Sequence, residues 1–486
     1  MNFDITINPV DASHVQIICE RSIAMEISDN FTFMVPNARY MQKFKDKIWD
    51  GKIRLFNMMN QTIYTGLVGK IKQFAAARDY SICDNTPGAT NVSLVELDDF
   101  IKSLNLPFDL HYFQKDAIVH CTRNRRGVIL SPTASGKSLI LYVLSRMIGA
   151  NVLIVVDSVS LVHQIKTDFI DYGCDPYDIH LIYQGQDTEV NRAITITTWQ
   201  SIVKLKKAWF KRFKAVFGDE VHLFAAASLK KVMESVSEAS FRVGFTGTLD
   251  GSETNELVLE GLFGPVLRVA TTSELIDKGY LSPFRIKAIV LKHSEESAAL
   301  VKKMDFAEEI DFIVTHNQRN KFVRNLALSL KGNTLVLFRF VERHGKVLYD
   351  DIVEHNKVDR KIYFIHGGVP GEERNKIRLQ INNEDNSITV ASVGSFSKGV
   401  NVPKLHNVIF ASSFKSSITV LQSIGRSLRK SDGKDMATLF DIADDLTHNP
   451  KNKLNPKPNI TLRHFHERVG VYDESGFNYK IYNVDL

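Results

Sequence analysis

Cysteine is scarce: Cys19, Cys83, Cys121 and Cys174 are the whole set, and no two are close neighbours in the chain. That spacing excludes a zinc site built on paired cysteines and a dense disulfide framework. It suits a reducing intracellular compartment. Long apolar runs are missing too: no stretch reaches the roughly 18 consecutive apolar residues of a membrane span, so no membrane association is expected. The opening, MNFDITINPVDASHV, has no basic segment followed by an apolar run, so a secretory leader is not expected. Excess charge of one sign is small, with 61 Lys and Arg against 55 Asp and Glu and a net charge of +6. Any anion-binding surface must therefore be local. Low-complexity repeats are absent.

What is present is ample apolar material, 44% of 486 residues. At about 150 residues per domain the length predicts about three domains. Residues 1–95 open with alternation at Phe3, Ile5, Ile7 and at Val15, Ile17, Cys19, which predicts strands. A Lys- and aromatic-rich stretch from Arg39 to Asn57 follows, with Asp50-Gly51 read as a hairpin turn between short strands, and then a helix over 68–78. A small α/β domain fits. Residues 96–275 alternate apolar runs (GVILSP, NVLIVV, AITITT, FKAVFGD, FRVGFTG) with helical patterns, as a parallel sheet covered on both faces does. Residues 276–450 repeat the pattern with NTLVLF, KIYFI, SITVA, HNVIFA and MATLFD, without a second lysine-bearing phosphate loop. Residues 451–486 read as a linker and a short C-terminal element. The expected fold class is α/β: two RecA-like parallel-sheet domains in tandem behind a small N-terminal α/β domain.

The strongest chemical signal is Ser131-Pro132-Thr133-Ala134-Ser135-Gly136-Lys137-Ser138, between a predicted strand and a predicted helix. In that context the amides of Thr133, Ala134, Ser135 and Gly136 can cradle phosphate oxygens. Lys137 would reach the β and γ phosphates of ATP, and Ser138 would hold Mg²⁺. Asp219-Glu220-Val221-His222 ends a later apolar run. There Asp219 can hold the metal and Glu220 can polarise an attacking water. Gln114, upstream of the loop, carries the donor and acceptor needed to read an adenine edge. Thr246 and Thr248, at another strand end, are placed to link hydrolysis to movement.

A second group lies far downstream. Gln422-Ser423-Ile424-Gly425-Arg426-Ser427-Leu428-Arg429 puts two arginines on one helix face, suited to phosphate oxygens. Either Arg426 or Arg429 can act as an arginine finger on the γ phosphate, with Arg429 favoured. Gly399 and Asn401 sit in a loop after the SITVA run, where Gly399 permits close approach and Asn401 offers an amide to a ribose.

In this order the motifs resemble those of superfamily 2 helicases and translocases, over roughly 105–445. Asp157-Ser158 with Leu161 and Gln164, Thr197 to Ser201, Thr246-Gly247-Thr248, Phe338-Arg339, His366-Gly367-Gly368 and Gln422 to Arg429 stand in the motif positions. Trp49 to Arg54, with Ala270 to Ser273 and Leu281 to Pro283, narrow the resemblance to helicases of T-even bacteriophages. That resemblance implies a DNA-dependent ATPase that unwinds branched DNA (Holliday junctions, forks, R-loops with their DNA–RNA hybrids) in phage recombination, replication and repair. It would act in the host-cell cytoplasm, and a monomer is expected. The motor motifs leave a double-strand translocase, an RNA helicase and an ATP-gated DNA clamp open.

For the nucleic acid, Arg39, Lys43, Lys45, Lys52 and Arg54 interleave with aromatics. Such a mixture can bind phosphates and stack on bases. Thr198, Gln200 and Ser201 can hold a backbone through amides and hydroxyls. A further run, Lys204, Lys206, Lys207, Lys211, Arg212 and Lys214, reads equally as a solvated face or a binding face.

Overall fold

The computed structural model describes residues 3–35, 38–149, 151–185, 187–225, 227–249, 253–397, 404–414, 436–449 and 456–486. The chain forms two compact units: Met1–Ser131 with Gly136–Ala270, and Thr271–Leu486 grouped with the loop residues Pro132–Ser135.

The N-terminal part of the first unit contributes β1 (Ile5–Pro9), β2 (His14–Cys19), β3 (Thr32–Met34), β4 (Lys52–Arg54), β5 (Thr62–Tyr64) and β6 (Ile82–Asp84). The alternation noted at Ile5, Ile7, Val15 and Ile17 is the period of a half-buried sheet, and all four side chains are fully buried. The sheet runs β5-β2-β1-β6, with β1 antiparallel to β2 and parallel to β6. The expected hairpin at Asp50-Gly51 is not there. Strand β4 pairs with β3, and a 3₁₀ turn (Ala38–Tyr40) and a short helix (Gln42–Lys45) lie between them. Gly51 serves close packing instead: at φ +79°, a Cβ there would lie 2.9 Å from Met34 Sδ.

The rest of the first unit is a seven-stranded sheet. Its members are β7 (Arg126–Leu130), β8 (Val152–Val156), β9 (Ile179–Ile182), β10 (Ile194–Thr198), β11 (Ala215–Asp219), β12 (Phe241–Thr246) and β13 (Val266–Arg268). The order is β13-β7-β12-β11-β8-β10-β9 and every neighbouring pair is parallel. Burial on both faces explains the unbroken apolar runs. In β8, Val152, Ile154 and Val156 meet Ile140 and Phe169 of the covering helices, while Leu153 and Val155 join Phe213, Val232 and Phe263.

The second of these cores is continuous with that of the N-terminal sheet. The seam is welded by a fully buried arginine. Arg242 donates to Met233 O at 2.7 Å, Val236 O at 2.9 Å, Leu262 O at 3.0 Å and Ser13 Oγ at 3.1 Å. Ala12 N donates to Ser237 O at 2.8 Å, and a Cβ on Gly66 would sit 1.9 Å from Glu260 O.

The second unit holds β14 (Phe284–Lys292), β15 (Asn333–Phe338), β16 (Ile362–Ile365), β17 (Ile388–Ser392), β18 (Leu405–Phe410), β19 (Ala437–Asp445) and β20 (Tyr479–Asp485). All pairs are parallel, in the order β16-β17-β15-β18-β19-β14-β20. The two RecA-like sheets thus stand as expected from the sequence. The C-terminal residues are more than a short appendage: β20 forms the sheet edge, and the helix Ile460–Glu474 plants Arg468 in the core. Arg468 pairs with the buried Asp441 at 2.8 Å and donates to Phe414 O at 2.8 Å.

Candidate functional site

The phosphate-binding sequence forms the connection from β7 to the helix Lys137–Ile148. Two residues take left-handed backbone conformations that turn the loop, Ala134 at φ +69° and Gly136 at φ +78°. Position 136 favours glycine, for its left-handed φ and because a Cβ there would lie 2.4 Å from Gln114 Nε2. Ser135 Oγ closes the loop on Pro132 O at 2.7 Å, and Lys137 Nζ donates to Ser131 O at 3.2 Å. Thr133 lies in the same loop. The helix that starts at Lys137 turns the positive end of its dipole towards the loop, which favours an anion there.

Gln114 is 3% exposed, and its Oε1 accepts from His111 N at 2.9 Å as part of a capping box. Its amide nitrogen lies over Gly136, so Gln114 braces the phosphate loop. Ser138 Oγ lies 3.0 Å from the Tyr172 hydroxyl. Tyr172 was not singled out from sequence, because a tyrosine at the end of a distant helix carries no motif.

Asp219 closes β11 and Glu220 follows at φ +52°, an uncommon conformation for a side-chain-bearing residue and one that clusters at functional sites. Glu220 N donates to Asp219 Oδ1 at 3.0 Å. Burial, and then the neighbouring Glu220 charge, push the Asp219 carboxyl up to about 7 against the pull of Lys137 and His222. The donor set of a hydroxyl (Ser138) and a carboxylate (Asp219) suits a hard divalent cation. A cation would also oppose the burial effect on Asp219. The residues present therefore fit magnesium.

Thr246 ends β12, which lies between β7 and β11 in the sheet. Its carbonyl accepts from Ser131 N at 3.0 Å, just before the phosphate loop. Its hydroxyl lies 3.0 Å from His222 Nδ1 and donates to Thr248 O at 2.7 Å. His222 was read only as the end of the acidic motif, and here it is the link between that motif and Thr246. Of the remaining expected residues, Gly399, Asn401, Gln422, Arg426 and Arg429 lie outside the described residues.

Thr198, Gln200 and Ser201 line a cleft of about 590 Å³ with Asp157 and Ser158, at the C-terminal ends of β8 and β10. Thr198 Oγ1 and Ser201 Oγ are 2.9 Å apart, and Gln200 Nε2 donates to Asp157 O at 3.2 Å. Ser158 caps the 13-residue helix Val159–Asp171.

In the N-terminal lobe Arg39, Lys43, Lys45, Lys52 and Arg54 are all exposed. The Arg39 guanidinium lies 4.9 Å over the Tyr40 ring. Arg54 is bound to Asp50 at 2.5 Å, which holds that carboxyl down at about 2. Trp49 is half-buried, with Nε1 donating to Lys52 O at 2.9 Å.

A phosphate loop, a strand-end acidic pair and two tandem RecA-like sheets define the chain as a nucleotide-dependent motor of the superfamily 2 helicase class. Family models agree along its length: "DNA helicase UvsW, N-terminal" over residues 4–84, "Type III restriction enzyme, res subunit" over 97–251 and "Helicase conserved C-terminal domain" over 287–431. The chain is 34% identical to the ATP-dependent DNA helicase UvsW of Enterobacteria phage T4, over 99% of this chain and 100% of that protein. The crystal structure of T4 UvsW matches with a TM-score of 0.52 and 32% identity, covering 99% of each chain. A DNA 3'-5' translocase, XPB2 of Sulfurisphaera tokodaii, is 22% identical over 69% of this chain and 83% of its own. The chain belongs to the UvsW family of helicases.

Proposed function

We propose that this chain is an ATP-driven DNA helicase that acts on branched DNA. One observation carries the reading. In a chain similar end to end to a phage DNA helicase, the phosphate loop, Thr246 and the Asp219-Glu220 pair stand at the ends of adjacent strands β7, β12 and β11. Lys137 and the loop amides hold the triphosphate. Ser138 and Asp219 hold Mg²⁺, which when bound screens phosphate charge. Glu220 orients the attacking water, and Gln114 keeps the loop in shape beside the base. Arg426 and Arg429, with Gly399 and Asn401, complete the site from the distal domain, and Gln422 couples hydrolysis to movement.

Thr198, Gln200 and Ser201 grip one strand in their cleft. The lobe with Arg39, Lys43, Lys45, Lys52 and Arg54 meets the branch. Thr246 and Thr248 relay the state of the phosphate site through His222. Movement requires that the grip differ between nucleotide states. The chain works as a monomer in the host-cell cytoplasm, on forks, four-way junctions and DNA–RNA hybrids.

An ATPase and unwinding panel over single strands, duplexes, forks, junctions and hybrids tests this reading. Stimulation and unwinding should be greatest on branched DNA and vanish in Lys137→Ala. Equal rates on unbranched duplex, or full DNA-stimulated hydrolysis by Lys137→Ala, would refute it. The similarity to a DNA translocase keeps a second reading in view, and displacement of a triplex third strand without strand separation would favour it.

A further inference from the structure

The connection from β10 to β11, Trp199 to Lys214, carries six basic residues and no Asp or Glu. Its apolar side chains go inward: Ile202 and Phe213 are fully buried, Phe210 is 1% exposed, and Leu205 and Trp209 pack against the same core. All six cations, Lys204, Lys206, Lys207, Lys211, Arg212 and Lys214, are exposed. None of them has a carboxylate partner within ion-pair distance among the described residues. A solvated face normally mixes both signs, and this one does not.

The position of the run matters as much as its charge. It starts at Thr198, at the C-terminal end of β10 and the wall of the strand-binding cleft, and ends where Ala215 opens β11. It therefore crosses the full height of the sheet, about 16 Å for strands of this length at about 3.3 Å per residue. The backbone beneath the cations is fixed. Trp209 Nε1 donates to Thr188 O at 2.8 Å, Arg212 Nε to Trp209 O at 3.1 Å, and Lys214 N to Asn151 O at 3.0 Å.

We propose that these six residues form a second phosphate track, leading away from the cleft and holding the backbone of the duplex arm that adjoins the cleft-bound strand. This rests on the reading of the cleft given above. Duplex is the occupant because no large apolar side chain is exposed anywhere in the run. A single strand bound with its bases free calls for stacking platforms. A duplex presents only its phosphates, at a charge density that matches an uninterrupted basic surface.

The test compares the full chain with Lys204→Gln/Lys207→Gln/Lys211→Gln, after equal thermal midpoints have shown that both are folded. Binding is measured against salt for a short single strand and for the same strand joined to a duplex arm. The single-strand affinity should stay within about twofold. The gain from the arm should fall about tenfold or more, and the log–log salt slope on the joined substrate should drop by about 3, near 0.9 for each lost contact. An unchanged gain and slope would overturn the proposal, as would an equal loss on both substrates. So would unchanged DNA binding with loss of binding to a poly-glutamate peptide, which would assign the run to an acidic protein segment. Thr198→Val/Gln200→Ala separates the two readings. If it leaves single-strand affinity intact, the cleft reading fails, whatever the lysine variant shows.

Discussion

His222 Nδ1 lies 3.0 Å from the Thr246 hydroxyl, joining the last residue of the acidic motif to the strand end beside the phosphate loop. The same threonine takes the amide of Ser131 on its carbonyl, so one residue touches both halves of the phosphate site. It can therefore sense what happens at either.

Thr246→Val keeps the shape and removes the hydroxyl. Hydrolysis should stay within about threefold of the parent, while unwinding falls at least about tenfold, in line with the 1–3 kcal/mol typical of coupling between sites. Parallel ATPase and fork-unwinding assays measure this. An equal drop in both would make Thr246 a plain part of the hydrolytic site.

Gly136→Ala should be worse than an ordinary helix-start change. It meets Gln114 at 2.4 Å in a left-handed conformation, where strain alone costs about 1–3 kcal/mol. Nucleotide affinity should fall about tenfold or more. Adding Gln114→Ala should recover part of it by removing the clash, read by titration of a fluorescent nucleotide.

Arg468→Leu leaves Asp441 buried without its ion pair and should cost the second unit about 3–5 kcal/mol. Arg468→Leu/Asp441→Leu should lie closer to the parent, because the stranded charge is gone. Denaturant unfolding compares the two.

Acid should weaken the second unit through His344. Burial pushes this imidazole down from the usual range to about 3, and its Nδ1 is 3.1 Å from Ser412 Oγ. Once the pH drops below about 6.5 the unfolded chain takes up a proton that the folded chain refuses. Stability is therefore present above that pH and lost as pH falls towards 3, by up to about 1.4 kcal/mol per unit. His344→Gln should flatten that slope in melts taken from pH 7 to pH 5.

Most of the architecture was readable because strands covered on both faces are apolar throughout, and NTLVLF coincides with β15 from end to end. The edges were harder. Edge strand β20 mixes Lys480, Asn483 and Asp485 into its pattern because most of it faces solvent, so no apolar run marks it, and β14 beside it opens on Arg285 and Lys287 before its short run Ala288 to Leu291. The Asp50-Gly51 pair looked like a tight turn because its composition favours one, yet the glycine answers a packing need set by Met34, Ala38 and Phe44. Buried arginines were illegible for a similar reason: Arg242 and Arg468 look like surface residues until their partners, distant in sequence, are in place. At the site, the loop and acidic pair announce themselves because phosphate chemistry demands fixed spacing. The roles of Tyr172 and His222 depend on which strand ends become neighbours.

The Arg242 seam has a mechanical corollary. A guanidinium anchored on three carbonyls of its own side reaches Ser13 Oγ across a dry boundary, and with the Ala12 N–Ser237 O bond beside it neither side swings alone. The N-terminal lobe is then an outrigger rather than a tether, and any nucleic acid its lysines held would be carried wherever the first seven-stranded sheet goes. Each stroke of the motor would then reach anything the lobe holds directly, with no slack to take up.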